Sequence, residues 1–183
     1  MSKVKITLVP LEQADRNQFI LDNQEAFKYG ATVEFGLRDD HFEEDGEIIS
    51  RSTIEQCIDN EESEVYRIVS DGKNVGGVII QVDKETLRGD LEILFVSPHV
   101  HSCGIGYAAW QAIEEMHPEV KVWETVTPYF EKRNIHFYVN HCGFHIVEFY
   151  NSHHPDPNAP ETERDSEDSD GMFRFQKVMD KQT

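Results

Sequence analysis

Gly104 and Gly106 stand at the start of the most regular apolar stripe in the chain: Ile105, Ala108, Ala109, Ala112, Ile113 and Met116. That spacing predicts a helix, with Pro118 just beyond its end. Glycines at a helix start leave backbone amides unobstructed, and the positive end of the helix dipole adds to them. The segment Val96-Ser-Pro-His-Val-His-Ser-Cys-Gly-Ile-Gly106 is therefore a ready anion site. A nucleoside-triphosphate loop would close on Gly-Lys-Ser/Thr, whereas Gly106 is followed by Tyr107. A dinucleotide fingerprint can be traced through Gly104, Gly106 and Ala109, with Glu124 ending the next strand. That fingerprint sets its first glycine in a tight turn at the strand end. Here Ser97 to Cys103 intervene, and the preceding strands read as hairpins rather than crossovers. The topology argues against it.

The elements that must position this segment follow from the hydrophobic periods. Ile6 to Leu11 reads as a first strand, and Ala14 to Tyr29 as a helix with Phe19, Ile20, Asn23, Ala26 and Phe27 on one face. Gly30 to Ile49 is polar and acidic. Ser52 and Glu55 have the spacing of a capping box ahead of a short stripe, Ile54, Cys57 and Ile58. The period then becomes two: Val65 to Val69, a turn at Asp71-Gly72, Val75 to Val82, a turn near Thr86 to Gly89, and Leu91 to Val96. After the stripe helix come a strand over Val120 to Val126 and a helix over Phe130 to Cys142 closed by Gly143. Strands over Phe144 to Tyr150 and Met172 to Met179 end the chain. The loop between them, Asn151 to Gly171, is rich in proline and acid and too polar to pack. The fold class is α+β, a mixed, mostly antiparallel sheet of six to seven strands flanked by about four helices, because a doubly wound fold would alternate strand and helix throughout.

In that frame the glycine segment resembles the acetyl-CoA motif of the GNAT superfamily of N-acetyltransferases, V-x-P-x-[YF]-[QR]-G-x-G-[IL]-G. Val96, Pro98, Gly104, Ile105 and Gly106 match; Val100, His101 and Ser102 replace the aromatic, the Gln/Arg and the first glycine. Downstream, Asn134, Tyr138, Gly143 and Phe144 match the family's second conserved segment. The resemblance covers about Leu91 to Tyr150 firmly and, through element order, the whole chain as one domain over residues 1–183. It implies a sheet split after the fourth strand, with the pantetheine arm of acetyl-CoA along Leu94, Phe95 and Val96. The pyrophosphate would rest on His101, Ser102, Cys103, Gly104, Ile105, Gly106 and Tyr107. Asn134, Phe137 and Tyr138 would complete the cofactor contacts.

The chemistry to be done is attack by a neutral amine on a thioester, and a free alkylamine holds its proton to a pKa near ~10.4. Glu92 is the first candidate for the general base, through water, and Asp90 the second. The plain alternative is that Glu92 is only the polar face of an alternating strand. The resemblance makes the backbone amide of Leu94 the oxyanion donor and Tyr138 the acid that meets the departing thiolate; the plain alternative for Tyr138 is a packed aromatic beside Phe137. Cys103, a thiol at a helix start, reads as a bystander beside the cofactor, since no cationic side chain stands near it, with a mixed disulfide to CoA as the alternative; no base is paired with it to make a nucleophile.

Composition bounds the partners. A formal charge of −18 argues against nucleic acid, whose phosphates need basic stripes, and suits either a cationic acceptor, because a cleft of one sign concentrates the other, or plain solubility. The runs Asp39 to Glu47 and Glu161 to Asp170 fall where the resemblance puts the acceptor groove, which points to a polyamine, an aminoglycoside or a basic peptide end. Leu91 to Val96, the strongest apolar run, is too short to cross a bilayer, and no secretory signal begins the chain. Three widely spaced cysteines without a CxxC pair suit reduced thiols in a cytoplasmic protein, and the nine histidines show no metal-ligand spacing. Strand exchange or sheet pairing through Met172 to Met179 would make a homodimer. Two other functions compete: an acyl-CoA-binding sensor without turnover, and an acetyltransferase acting on protein N-termini.

Overall fold

The computed structural model describes residues 4–34, 46–100, 104–159 and 171–180. Its contacts gather into two compact units, Met1–Val120 and Lys121–Thr183. Among the described residues seven strands and four α-helices follow one another in the predicted order, which is the α+β class.

The first unit holds four consecutive antiparallel strands, β1 (Thr7–Pro10), β2 (Ser63–Ser70), β3 (Lys73–Asp83) and β4 (Arg88–Val96). The β2–β3 hairpin turns at Asp71 and Gly72, both with positive φ (49° and 74°), as the Asp-Gly pair predicts. Helices α1 (Arg16–Tyr29) and α2 (Arg51–Asp59) cover one sheet face, where Phe19, Ile20, Ala26, Ile54, Ile79, Ile93 and Phe95 form one core cluster. Helix α3 (Ile105–Met116) covers the other, with Ile105 and Ala109 packed on Ile68 and Val75 and flanked by Leu94 and Val96. Two contacts lock α1 in place. The Phe19 ring lies on Gly77, where a Cβ would come within 2.3 Å of it. The buried Arg67 guanidinium donates to Asp15 (2.6 Å) and Asp22 (2.8 Å) and lies 5.1 Å from the Phe19 ring centroid.

Two local expectations are corrected. The cap of α2 is Ser50, whose hydroxyl accepts from the Thr53 amide at 3.1 Å, while Glu55 pairs with Arg51 instead of reaching back to Ser52. A serine two positions earlier already had the extended backbone that a cap needs. On α3 the buried set is Ile105, Ala109, Trp110 and Ile113, and Met116 is 43 % exposed. The bulk of Trp110 draws its side of the helix inward, and Met116 sits at the fraying end.

The second unit is an antiparallel sheet in the order β5 (Val122–Pro128), β7 (Met172–Val178), β6 (His145–Tyr150). One face buries Trp123, Thr125, Thr127 and Phe175. The other carries a charged cluster in which Arg174 donates to Glu124 (2.6 Å) and Glu148 (3.0 Å). Between β5 and β6 the chain forms α4 (Lys132–His136), continues as one π turn over Phe137–His141, and stops at Gly143 with φ of 79°. Strand β7 is paired along both edges, with β5 on one side and β6 on the other.

Candidate active site

Strand β4 is irregular where the chemistry was expected. Ile79 pairs with Ile93 and Ile80 with Leu91, which leaves Glu92 as the extra residue of a bulge. Alternation carries Leu91 with Ile80 to one face and Ile93 with Ile79 to the α1/α2 face, so the bulge turns Glu92 and Ile93 the same way. The electrostatics agree, because the Glu92 carboxylate acts on Cys57 of α2: burial first, then Glu92, pushes that thiol up to about 11. Glu92 has an exposed fraction of surface, yet enough protein surrounds it to strip part of its hydration. Desolvation first, and the neighbouring Asp90 charge second, hold its carboxyl above the ordinary carboxylate value. A carboxylate so placed is a better proton acceptor than one in water.

On the other face, Leu94 sits opposite Val78 and flanks the cluster beneath α3. Phe95 is buried toward α1, and Val96 ends the strand. Gly104 caps α3 in the left-handed region (φ 74°), which a side chain would resist, and its carbonyl already takes the Ala108 amide at 3.0 Å. The amides of Ile105, Gly106 and Tyr107 fall in the first turn, where an α-helix has no internal acceptor for them. Ile105 is buried, Gly106 half-buried and Tyr107 exposed, with its hydroxyl accepting from Gln111 at 3.2 Å. These donors fit a pyrophosphate by backbone alone. His101, Ser102 and Cys103 lie outside the described residues, as do Asp39 to Asp45 and Glu161 to Asp170 of the acidic runs.

In the second unit Tyr138 is buried, only 6 % exposed, in a nest of rings: Phe137 at 5.4 Å, Phe144 at 5.7 Å and Phe175 at 5.7 Å between centroids. The π turn holds it, with the Phe144 amide donating to the Tyr138 carbonyl at 2.9 Å. Burial pushes the phenol well above its ordinary pKa, while a hydrogen bond with the Thr125 hydroxyl works against that rise. Tyr138 is thus a phenol, not a phenolate, throughout the physiological range. Asn134 and Phe137 are half-buried on the same segment. Neither Cys57 nor Cys142 is held in a disulfide.

Sequence reasoning missed three features. The bulge at Glu92 has a faint signal, since Leu91, Ile93 and Phe95 alternate and Leu94 then fills the polar phase. The Glu92–Cys57 proximity joins residues 35 apart in number and had none. The Thr125 partner of Tyr138 likewise left no trace beyond a threonine in a strand.

Residues 31–144 match the family model of the acetyltransferase (GNAT) family. A protein of Bacillus subtilis (strain 168), called uncharacterized protein YrkN, is 44 % identical over 181 residues, covering 97 % of this chain and 95 % of its own. Among solved structures, the ribosomal-protein-S18-alanine N-acetyltransferase of Escherichia coli superposes with a TM-score of 0.64 at 14 % identity, covering 98 % of this chain and 99 % of that one. The spermidine N-acetyltransferase of Vibrio cholerae, in complex with CoA and spermine, gives 0.62 at 13 % identity over 94 % and 95 %. At such identities the likeness is one of fold. With the family model spanning the glycine segment, the bulged strand and the Tyr138 turn, the chain belongs to the GNAT family and is an acetyl-CoA-dependent N-acetyltransferase.

Proposed function

We propose that the protein acetylates a cationic primary amine, such as a polyamine or an aminoglycoside, with Glu92 as the general base. The observation that carries this is the bulge, which turns a carboxylate of raised proton affinity, paired with Asp90, to one face of β4. Acetyl-CoA supplies the activated acetyl thioester. The first-turn amides of α3 bind its pyrophosphate, and Asn134 and Phe137 contribute side-chain contacts to the cofactor. Two neighbouring carboxylates attract the ammonium form of the acceptor, and Glu92 takes its proton, directly or through water. The Leu94 amide is the oxyanion donor. Tyr138, sealed as a phenol, donates a hydrogen bond to the departing sulfur; its raised pKa favours that bond over complete transfer to a thiolate whose own pKa is near ~8.5. Cys57 and Cys142, outside any disulfide, suit work in the cytoplasm.

The test is release of CoA thiol from acetyl-CoA with a panel of polyamines, aminoglycosides, amino acids and short peptides, with mass detection of the acetylated product. Turnover on cationic amines supports the proposal. Binding of acetyl-CoA without turnover on any acceptor favours the sensor reading instead.

A further inference from the structure

Strand β5 sets a buried threonine against the aromatic nest of its own unit. Thr125 is 6 % exposed, and Trp123 and Thr127 are buried with it on the same face of the strand. It stands opposite Phe175 in the β5–β7 register, so both side chains rise from one face of the sheet. The Phe175 ring lies 5.7 Å from that of Tyr138, and there the hydroxyls of Thr125 and Tyr138 share a hydrogen bond. The phenol is held to that place. The Phe144 amide donates to the Tyr138 carbonyl at 2.9 Å, the Cys142 amide donates to the Phe137 carbonyl at 3.0 Å, and the Phe144 ring packs 5.7 Å from the phenol. A valine would fill the same space as Thr125, so what distinguishes threonine at this position is its bond. Either hydroxyl of such a pair can donate, and the effect of the bond assigns the direction. Burial first, and Cys142 next, raise the proton affinity of Tyr138, whereas the Thr125 bond lowers it. A bond with that effect is one donated to the phenol oxygen, because it stabilises the anion.

We propose that Thr125 is a positioning residue for acetyl transfer: its hydroxyl donates to the Tyr138 oxygen and so leaves the one proton of the phenol for the departing sulfur. A phenol oxygen carries one proton and two lone pairs. With Thr125 on a lone pair, the O–H is directed away from Thr125 and toward another acceptor. Donation to a hydroxyl also makes that hydroxyl a stronger donor, because successive hydrogen bonds polarise one another. As the carbon–sulfur bond breaks, the electron pair goes to sulfur and Tyr138 donates its hydrogen bond to it. The charge drawn onto the phenol oxygen is then met by the Thr125 proton, which stays on Thr125 throughout. The inference rests on the reading of Tyr138 as the donor to the sulfur.

The experiment compares the wild type with Thr125→Val, Thr125→Ser, Tyr138→Phe and the Thr125→Val, Tyr138→Phe double variant. The readout is single-turnover release of CoA thiol, with an acceptor that turns over or, where none does, in the slow hydrolysis of acetyl-CoA. Thr125→Val should slow release about fivefold, the worth of one neutral hydrogen bond, with CoA affinity by calorimetry unchanged. Thr125→Ser, which keeps the hydroxyl, should recover most of that loss. In the Tyr138→Phe background Thr125→Val should slow release no further, because the two residues act as one unit. A second readout needs no ligand. With isotope-labelled tyrosine, the Tyr138 Cζ resonance reports hydrogen bonding at its oxygen; it should move in Thr125→Val and keep its place in Thr125→Ser. If Thr125→Val does not fold, Thr125→Ala set against Thr125→Ser carries the same comparison. Full release in Thr125→Val beside a slowed Tyr138→Phe, equal losses in the two backgrounds, or an unmoved resonance would overturn the proposal alone. Full release in Tyr138→Phe would sink the reading of Tyr138 as the donor and the proposal with it, as would a wild type that releases no thiol.

Discussion

Strand β4 and the turn after α4 treat their reactive groups in opposite ways. Glu92 stands on a bulge, keeps contact with solvent, and has its proton affinity raised by partial desolvation and by Asp90. Tyr138 is shut into a nest of aromatic rings with one hydroxyl partner, Thr125. The difference follows from the duty of each. A base that must shed its proton after every turnover needs a route to water, whereas a donor that must remain protonated gains from a place where its anion is penalised. The same chain thus uses desolvation in two strengths: a partial dose makes a carboxylate basic, and a full dose keeps a phenol neutral.

The sharpest way to break this comparison is Glu92→Gln. It should lower kcat/KM at neutral pH about 10²–10⁴-fold, while CoA affinity, measured by calorimetry, stays where it was. Next is Tyr138→Phe, expected to lower kcat by roughly tenfold or more with little change in CoA affinity. Losing the Thr125 hydrogen bond also costs about 1 kcal/mol of stability, visible as a lower melting temperature. A smaller effect is read in stability alone. Because the Glu92 pKa is raised in the folded protein, the fold holds that proton more tightly than the unfolded chain does, and stability falls as pH rises through the window between the two values. Glu92→Gln should therefore melt above the wild type at neutral pH, and the gain should vanish below the ordinary carboxylate range, where both states are protonated. The smallest is Gly104→Ala. Among the described residues a Cβ there meets only Val4 at 3.8 Å, so the cost is backbone strain at φ 74°, about 1–2 kcal/mol, seen as a modest drop in melting temperature and a weaker CoA complex.

The fold was largely legible because its periods are clean. The Asp71-Gly72 turn, the extent of α3 and the stop at Gly143 each rest on local rules that tertiary contacts did not override. Legibility failed where two local signals competed, as between Ser50 and Ser52 at the start of α2, and where bulk outweighed period, as at Trp110 against Met116. Of the candidate site, the anion-binding helix start was readable because it is made of backbone, and glycines announce it. Glu92 was readable as a residue type but not as a bulge, since register is decided by pairing with β3 and not by β4 alone. Thr125 was visible only as a threonine in a strand, and it is the packing of Tyr138 on the neighbouring Phe175 that reveals its partner.

The central claim is that Glu92 removes the proton of the acceptor ammonium, and the pH dependence of kcat/KM for wild type and Glu92→Gln tests it most directly. Without its base the variant depends on amine that has already lost its proton. Its deficit should therefore be largest at neutral pH and shrink steadily toward pH ~10, where an alkylamine deprotonates unaided. A deficit of the same size at every pH would contradict the account and leave Glu92 as a binding residue only.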